Sequence, residues 1–561
     1  MAFESLYVGT GAMRAAQGAM SVIGHNIANL NTEGYTRQRA NLETNPSLDK
    51  YPGEVGTGVN MAEIQRLTDE FSRMQLDTEN QKLGEYTIKS SLLSEVEEVM
   101  KEPGSGGLQV ALTDFFNAFH TLANSPEEYG ARSIVLSKGT ALADKISSIS
   151  TQLKSIQTQA DEFIRLKVDE INTISDRIAD LNKQISSVEA AEGQNANDLR
   201  DSRDLLYRQL NKIMNVTSFE DSNKNLFVEA QGSVLVAATK SIHLSSTSNS
   251  DGYQIPVNEA SGKEVIVLSG ELKGIMDARD ENINKVIEDL DTLASKLIEE
   301  VNRLHARGTS FVGFDSVVGN QTVEAPGVNL INSGLAILPK SGTLYITAFN
   351  ETTGDYMEQG FVIDPYIDTM NDVITDINTA FGGRIVASLD GENQFSIDAA
   401  SGYKFQFVNG STGDVDSTDL LLATGVNTFF TGDSSFSIDI NEYIKNDVNL
   451  ISSGRSMSPG DNTNALEIAK LNQEPMLNNS STFGGFYASM VSDIGTNTQA
   501  SSRNEENQDS LVRLLEQRLT STTGVSLEEE ASSLLIYQRM FQAAAKYVQV
   551  MDEVMGTLMQ I

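Results

Sequence analysis

"NIANLNTEGYTRQR", residues 26–39, begins as a helix and ends as a turn. Asn and Thr side chains compete with the helical ladder for backbone hydrogen bonds, Gly34 permits a positive φ, and Tyr35, Arg37 and Arg39 follow as contact-making side chains. The stretch reads as a helix followed by its stop. That helix is written as a seam: Leu6, Gly9, Met13, Ala16, Met20, Ile23, Ile27 and Leu30 recur at alternating steps of three and four, the pattern of packed helices. At the other end Leu534, Tyr537, Phe541, Ala544, Val548, Met551, Met555 and Leu558 repeat it almost to the last residue. Either seam alone could be an amphipathic helix lying on its own domain; both together shift the balance toward coiled-coil strands at the two ends. "TTGVSLEEEA" starts the second seam, with Ser526 placed to cap Glu529 and Glu528, Glu529 and Glu530 at the positive end of the helix dipole, read as a solvated helix start.

Working inward, Thr140–Glu192 contains neither Gly nor Pro and predicts one rod of roughly 80 Å at the α-helical rise. Its seam (Leu142 to Ala160, then Ile171 to Val188) carries an eleven-residue gap, a stutter. A second long seam runs from Leu272 through Met276, Arg279 and Ile283 to Leu304, and shorter helices are predicted near 88–101, 108–123, 197–214, 463–472 and 487–520. Residues 215–268 read instead as short strands around turns, a β insertion in the helices. From 309 to 444 strands punctuated by Gly, Asn and Asp replace helix, with Lys340, Arg384 and Lys404 set against eighteen acids. The expected fold is mainly α with inserted β: a coiled-coil domain of 1–40 plus 525–561, a helical bundle of 41–308 plus 445–524, and an acidic β-rich outer domain, 309–444, that projects from it.

Composition narrows the chemistry. The 561 residues carry 41 Lys plus Arg against 77 Asp plus Glu, a net charge of −36 that argues against nucleic acid or an anionic membrane surface as partner. No Cys is present, so disulfides, thiolate nucleophiles and Cys-ligated zinc are excluded. "GTGAMR" at Gly9 and "GTGVNM" at Gly56 lack the third Gly and the preceding strand of a dinucleotide site, and no Walker-A, G-x-S-x-G or HExxH pattern occurs. His25, His120, His243 and His305 are scattered and read as structural or surface residues. "GDVDSTD", with Asp414, Asp416 and Asp419, lacks the Gly and terminal Glu of a calcium loop and reads as a solvated turn. No enzyme, cofactor or metal is expected. The N-terminus has no signal-peptide pattern and no segment reaches membrane-spanning length, which by themselves predict a soluble cytoplasmic protein.

"HNIANLNTEGYTRQ" (25–38) resembles the motif after the terminal helix in the axial proteins of the bacterial flagellum, the family of rod, hook and hook-associated proteins. The shared positions are Asn26, Ala28, Asn29, Asn31, Thr32, Gly34, Tyr35 and Arg37, while His25 stands where the family often has Asn and Glu33 where Pro is common. The C-terminal "GVSLEEEASSLLIYQRMFQAAAKYVQVMDEVMGTLMQI" is similar to the partner motif of that family. Interior stretches 111–143, 199–211, 270–308 and 426–441 resemble the hook-associated protein 1 branch rather than hook protein. The resemblance implies a structural adaptor at the hook–filament junction, whose disordered termini fold into coiled coil on incorporation. It implies a ring of copies, hook protein and the second hook-associated protein as neighbours, an export chaperone on the C-terminal seam, and secretion through the flagellar type III channel. Hook protein itself, another axial subunit, or an adhesin-like role for 309–444 are the alternatives.

Overall fold

A computed structural model describes residues 2–51, 53–100, 106–190, 194–408, 415–477 and 480–558. In chain order its helices are α1 (Ala2–Ala28), α2 (Glu70–Met100), α3 (Leu108–Asn124), α4 (Tyr129–Val188), α5 (Asn197–Ile213), α6 (Glu271–Asp277), α7 (Asn284–Ala306), α8 (Met370–Phe381), α9 (Leu420–Thr424), α10 (Glu442–Asn446), α11 (Thr463–Lys470), α12 (Phe483–Thr523) and α13 (Leu527–Leu558). Strands fall between α1 and α2, between α5 and α6, and between α7 and α11. The chain is therefore mainly α with inserted β. Its contacts divide it into two compact units, one of Met1–Leu93, Thr158–Glu281 and Thr498–Ile561, the other of Ser94–Gln157 and Asn282–Asn497.

In the first unit α1 and α13 lie side by side, and an antiparallel hairpin of Gln38–Thr44 with Val59–Arg66 packs on α1. Small residues allow both approaches. A Cβ on Gly9 would sit 2.6 Å from Val548, and one on Gly18 would meet the Met61 sulfur at 2.9 Å. Gly9, a member of the expected seam, is thus a helix-packing residue. α2 packs on the C-terminal part of α12 through Leu76, Val512 and Leu515, flanked by Leu83 and Leu519. The β insertion is a four-stranded antiparallel sheet, Val216–Glu220, Leu226–Ala230, Ser233–Ala237 and Lys240–Ser241, followed by the hairpin Leu244–Ser248 with Gln254–Asn258.

The seam expected to run unbroken from Leu272 to Leu304 is interrupted by a π-helical turn, Ala278–Ile283. A cation on a core face must bring its partners with it. Arg279 is fully buried there, donating to Asp161 Oδ1 (2.6 Å), Asp280 Oδ1 (2.6 Å) and the Gln254 carbonyl (2.8 Å), with its guanidinium 4.8 Å from the Tyr253 ring.

In the second unit Phe115 and Phe119 of α3 pack against Phe429 and Phe430, beside His305 of α7. α4 begins eleven residues before the expected Thr140, running through Gly130 and Gly139. Gly139 is tolerated because a Cβ there would clash with Phe429 at 2.8 Å. A separate apolar core gathers Phe314, Leu344, Ile346, Val373, Phe381, Phe395, Phe405 and Val426. It includes α8, a helix inside the stretch read as strands, although Thr369 and Asp372 form a capping box and Gly382 (φ +56°) ends it left-handed.

Two expectations are corrected here. The stretch 309–444 does not stand off the helices at its C-terminal end, because Phe429 and Phe430 enter the α3 aromatic core and Asn427 donates to the carbonyls of His305, Ala306 and Gly308. "GDVDSTD" is not a solvated turn: Asp414 lies outside the described residues, but Asp416 is buried, accepting from Thr418 and the Leu421 N–H, and Asp419 is buried between Arg307 and Lys340 at 2.7 Å each.

Candidate assembly site

Where α1 ends, the turn is built by local bonds. Asn29 donates to the His25 carbonyl at 3.0 Å, Thr32 donates to Asn29 Oδ1 at 3.1 Å, and Gly34 adopts φ +79° against Leu205, which a Cβ would touch at 3.2 Å. Only glycine fits both demands. The chain leaves the turn with Tyr35 folded back: its hydroxyl donates to Asn26 Oδ1 at 2.7 Å and sits 3.1 Å from His25 Nδ1. Burial, reinforced by the carboxylates of Asp198, Asp201 and Glu530, holds the phenol well above its usual range, so it stays a donor.

Asn26 is the hub. Buried in α1, it accepts from the Gln38 N–H (3.0 Å) and donates to the Gln38 carbonyl (2.9 Å) and to Glu530 Oε2 (3.0 Å). Arg37 reaches the same helix start, Nε to Glu530 Oε1 at 2.7 Å and Nη1 to Glu529 Oε2 at 2.6 Å, while its N–H donates to the Thr523 carbonyl at 2.9 Å. Glu530 is 2% exposed, so the reading of all three acids as a solvated helix start is corrected. A carboxylate at this depth requires the cation and amide it has.

α5 carries the other half of the socket. Asp201 accepts from the Thr36 N–H (3.0 Å) and from Arg66 (2.7 Å), Asp204 accepts from Arg66 (2.9 Å), and Asp198 accepts from the Gln38 amide (2.8 Å). Burial raises the Asp201 carboxyl, with Arg66 and Thr36 opposing the shift. Asp198, Asp201 and Asp204 recur every three residues in "DLRDSRD" (198–204), spacing that places them along one helix face and could have marked the socket. No sequence pattern marked Glu530.

The seams are less enclosed than their pattern implied. Ala16 and Ile23 are buried; Leu6, Met13, Met20 and Ile27 are half-buried; Leu30 is exposed. The most buried stripe on α1 is Ala15, Ala19, Val22 and Asn26, one step round the helix, because the hairpin covers that face. Ala28, Asn31 and Thr32 are exposed, and Asn29, Tyr35 and Arg37 half-buried. On α13 Ala544 is buried, Tyr537, Phe541, Val548, Met551 and Met555 are half-buried, Leu534 is exposed, and the Leu558 side chain lies outside the described residues. Leu535, Ile536, Val550 and Val554 add exposed apolar surface.

The histidines have different surroundings. His305 is wholly buried, its Nδ1–H donating to the Asn427 carbonyl (2.8 Å) and its Nε2 accepting from the Ser452 N–H (3.0 Å), and burial lowers it to about 4. His243 meets Asp176 at 2.9 Å on the surface. Among the described residues no group of three His, Asp or Glu side chains is arranged to hold a metal ion, and no helix is long and apolar enough to cross a membrane.

Three family models match parts of the chain: the helical domain of flagellar hook-associated protein FlgK over residues 93–319, flagella basal body rod protein over 6–36, and the C-terminal part of flagellar basal body rod FlgEFG protein over 516–561. Curated relatives titled flagellar hook-associated protein 1 align along nearly the whole length. That of Bacillus subtilis is 25% identical, covering 99% of this chain and 97% of its own. Those of Salmonella typhimurium and Escherichia coli are 27% and 26% identical, each covering 98% of both chains. The solved flagellar hook junction protein FlgK from Burkholderia pseudomallei shares the fold, with a TM-score of 0.51 over 81% of this chain and all of that one, at 17% identity.

Proposed function

We infer that this chain, a relative of flagellar hook-associated protein 1 from end to end, is a structural adaptor subunit of the bacterial flagellum at the junction between hook and filament. The observation that carries the reading is the likeness to hook-associated protein 1 over at least 97% of the length of each relative compared. Hook protein is the weaker alternative, because the match over 93–319 is to the hook-associated helical domain.

Assembly rests on the terminal helices. α1 and α13 meet within one chain, and the apolar surface α13 keeps exposed is the kind a neighbouring subunit covers. Copies of this chain in a ring, hook protein on one side and the second hook-associated protein on the other are its partners in this reading. Terminal coiled coil completed on incorporation is its mechanism, and export through the flagellar type III channel, with a cytoplasmic chaperone covering the C-terminal seam beforehand, is its route. The domain layout follows the same logic: the terminal pair innermost, the helical bundle around it, and the β-rich insertion outermost. Immuno-gold electron microscopy of intact flagella tests the reading: label belongs in a narrow band at the hook–filament boundary, and label spread along the filament refutes it.

A further inference from the structure

The β-rich insertion sets large apolar side chains in water. On the strand Tyr356–Ile363, Phe361 and Ile363 turn into the core, and Val362 between them is 81% exposed. The turn that follows leaves Tyr366 68% and Ile367 72% exposed. That turn is firmly held. The Ile367 and Asp368 N–H groups donate to the Asp364 carbonyl at 2.9 and 2.8 Å, the Asp364 N–H donates to Asp368 Oδ2 at 2.7 Å, and Pro365 is buried. Asn329 donates to the Tyr366 carbonyl at 3.1 Å, which sets exposed Val328 beside the turn. Scattered apolar residues are ordinary on a surface, whereas a cluster presented by a fixed turn and rimmed by polar groups marks a contact surface. The rim is acidic. In "DPYIDTMNDVITD" (364–376) Asp364, Asp368, Asp372 and Asp376 recur every fourth residue, the last two on the exposed face of α8. The donors to these acids are neutral: Ser341 and the Tyr366 N–H for Asp364, the Asp364 N–H for Asp368, and Thr369 for Asp372. The three cations of 309–444 are committed elsewhere, Lys340 to Asp419 at 2.7 Å, Arg384 to Asp355 at 2.8 Å and Lys404 to Asp315 at 3.9 Å.

We propose that this face docks a basic amphipathic helix of another protein, with the apolar stripe of that helix on Val362, Tyr366 and Ile367 and its Lys or Arg residues along Asp364, Asp368, Asp372 and Asp376. Apolar anchors one turn apart on such a helix supply affinity, and the cations beside them supply register and a fast encounter. Asp372 and Asp376 lie one helical turn apart, the spacing at which Lys or Arg residues four apart on a partner helix can meet them. Charge decides the occupant. A second copy of a chain with 77 acids against 41 cations brings acid to acid, and an anionic membrane surface is repelled in the same way. A cationic apolar segment satisfies both halves of the face. The site is independent of the junction reading, for it uses no residue of the terminal helices.

Fluorescence anisotropy with the full-length chain tests it, using a labelled peptide of about five helical turns that carries leucine on one stripe and lysine beside it. Two controls share its length: a scrambled sequence, which keeps the charge and loses the stripe, and one with glutamate for lysine. The wild-type chain is expected to bind the first peptide at least about tenfold tighter than either control, or roughly 1.4 kcal/mol. Tyr366→Ser combined with Ile367→Ser, both exposed, should erase that preference with an unchanged melt. Val362→Thr keeps a strand-favouring side chain and should weaken binding in the same direction. Asp376→Asn should weaken binding at low salt and make it less sensitive to added salt. Equal affinity for the scrambled peptide, or a Tyr366→Ser, Ile367→Ser variant that binds as wild type, assigns the signal to bulk acidity or to another apolar surface and overturns the proposal. Absence of binding overturns it too, and a wild-type dimer in sedimentation that the same variant abolishes overturns the assignment to another protein.

Discussion

Glu530 ties the end of one terminal helix to the start of the other, because Arg37 and Asn26 both spend a donor on it in a buried place. Glu530→Ala removes one partner and leaves the rest, a change that costs roughly 3 kcal/mol when a buried pair is broken. Arg37 keeps Glu529, so the loss should be local: faster amide exchange in residues 26–38 and 527–535, with the second unit unaffected. Uniform exchange across the chain would deny the clamp its role. His305 supplies a residue-scale test in the other unit. Its folded value, about 4, lies below the ordinary 6.5, so the stability it confers is fully present above pH 6.5 and is lost as pH falls toward 4. The span corresponds to roughly 3 kcal/mol. Denaturant titrations between pH 4 and 7 should show this acid limb in the wild type and a flattened one in His305→Gln; equal slopes would place the proton elsewhere.

At the scale of elements, α13 presents an amphipathic helix with little under it in a single chain: of its described residues only Glu530 and Ala544 are buried. Ala544→Pro breaks such a helix at a cost of about 3 kcal/mol or more. Since the broad cores lie elsewhere, the melt of the purified chain should shift little while motility fails, read by filament formation on hooks in a strain lacking the protein. A collapsed melt, or normal filaments, would make α13 ordinary core. The same elements show what the sequence made legible. The three-and-four spacing placed both terminal helices, and the composition change near 215 placed the β insertion, because periodicity and turn residues are local signals. Three features depended on partners far along the chain and were not legible. The hairpin shifted the buried stripe of α1 by one residue, Arg279 found Asp161 and a π-turn, and Glu530 found Arg37. α8 is different, since its capping box and Gly382 were local signals outweighed by the strand-like text around them.

For the whole molecule, the proposed assembly through the terminal helices requires that their apolar faces be covered beforehand. Dropping residues 525–561 should abolish chaperone binding in a pulldown and leave the second unit folded; retained binding would move the chaperone elsewhere. The β-rich insertion poses the converse question of what can be removed. Its inner edge is set by packing, for Asn302 holds the Phe429 and Phe430 amides, Asn427 bonds the Gly308 carbonyl at 3.0 Å, and both Phe rings sit on α3. Residues 308 and 427 are therefore neighbours, and 309–425 can be excised with a two-glycine bridge, since insertions with adjacent ends are removable. Excising 309–444 instead takes Phe429 and Phe430 out of the aromatic core, and deletions of that size in a core cost about 3–5 kcal/mol per ring. The shorter deletion should give a soluble protein with a cooperative melt, the longer one an aggregating or molten chain. If both melt alike, residues 426–444 contribute nothing to the helical core, and the insertion is a projecting domain along its whole length.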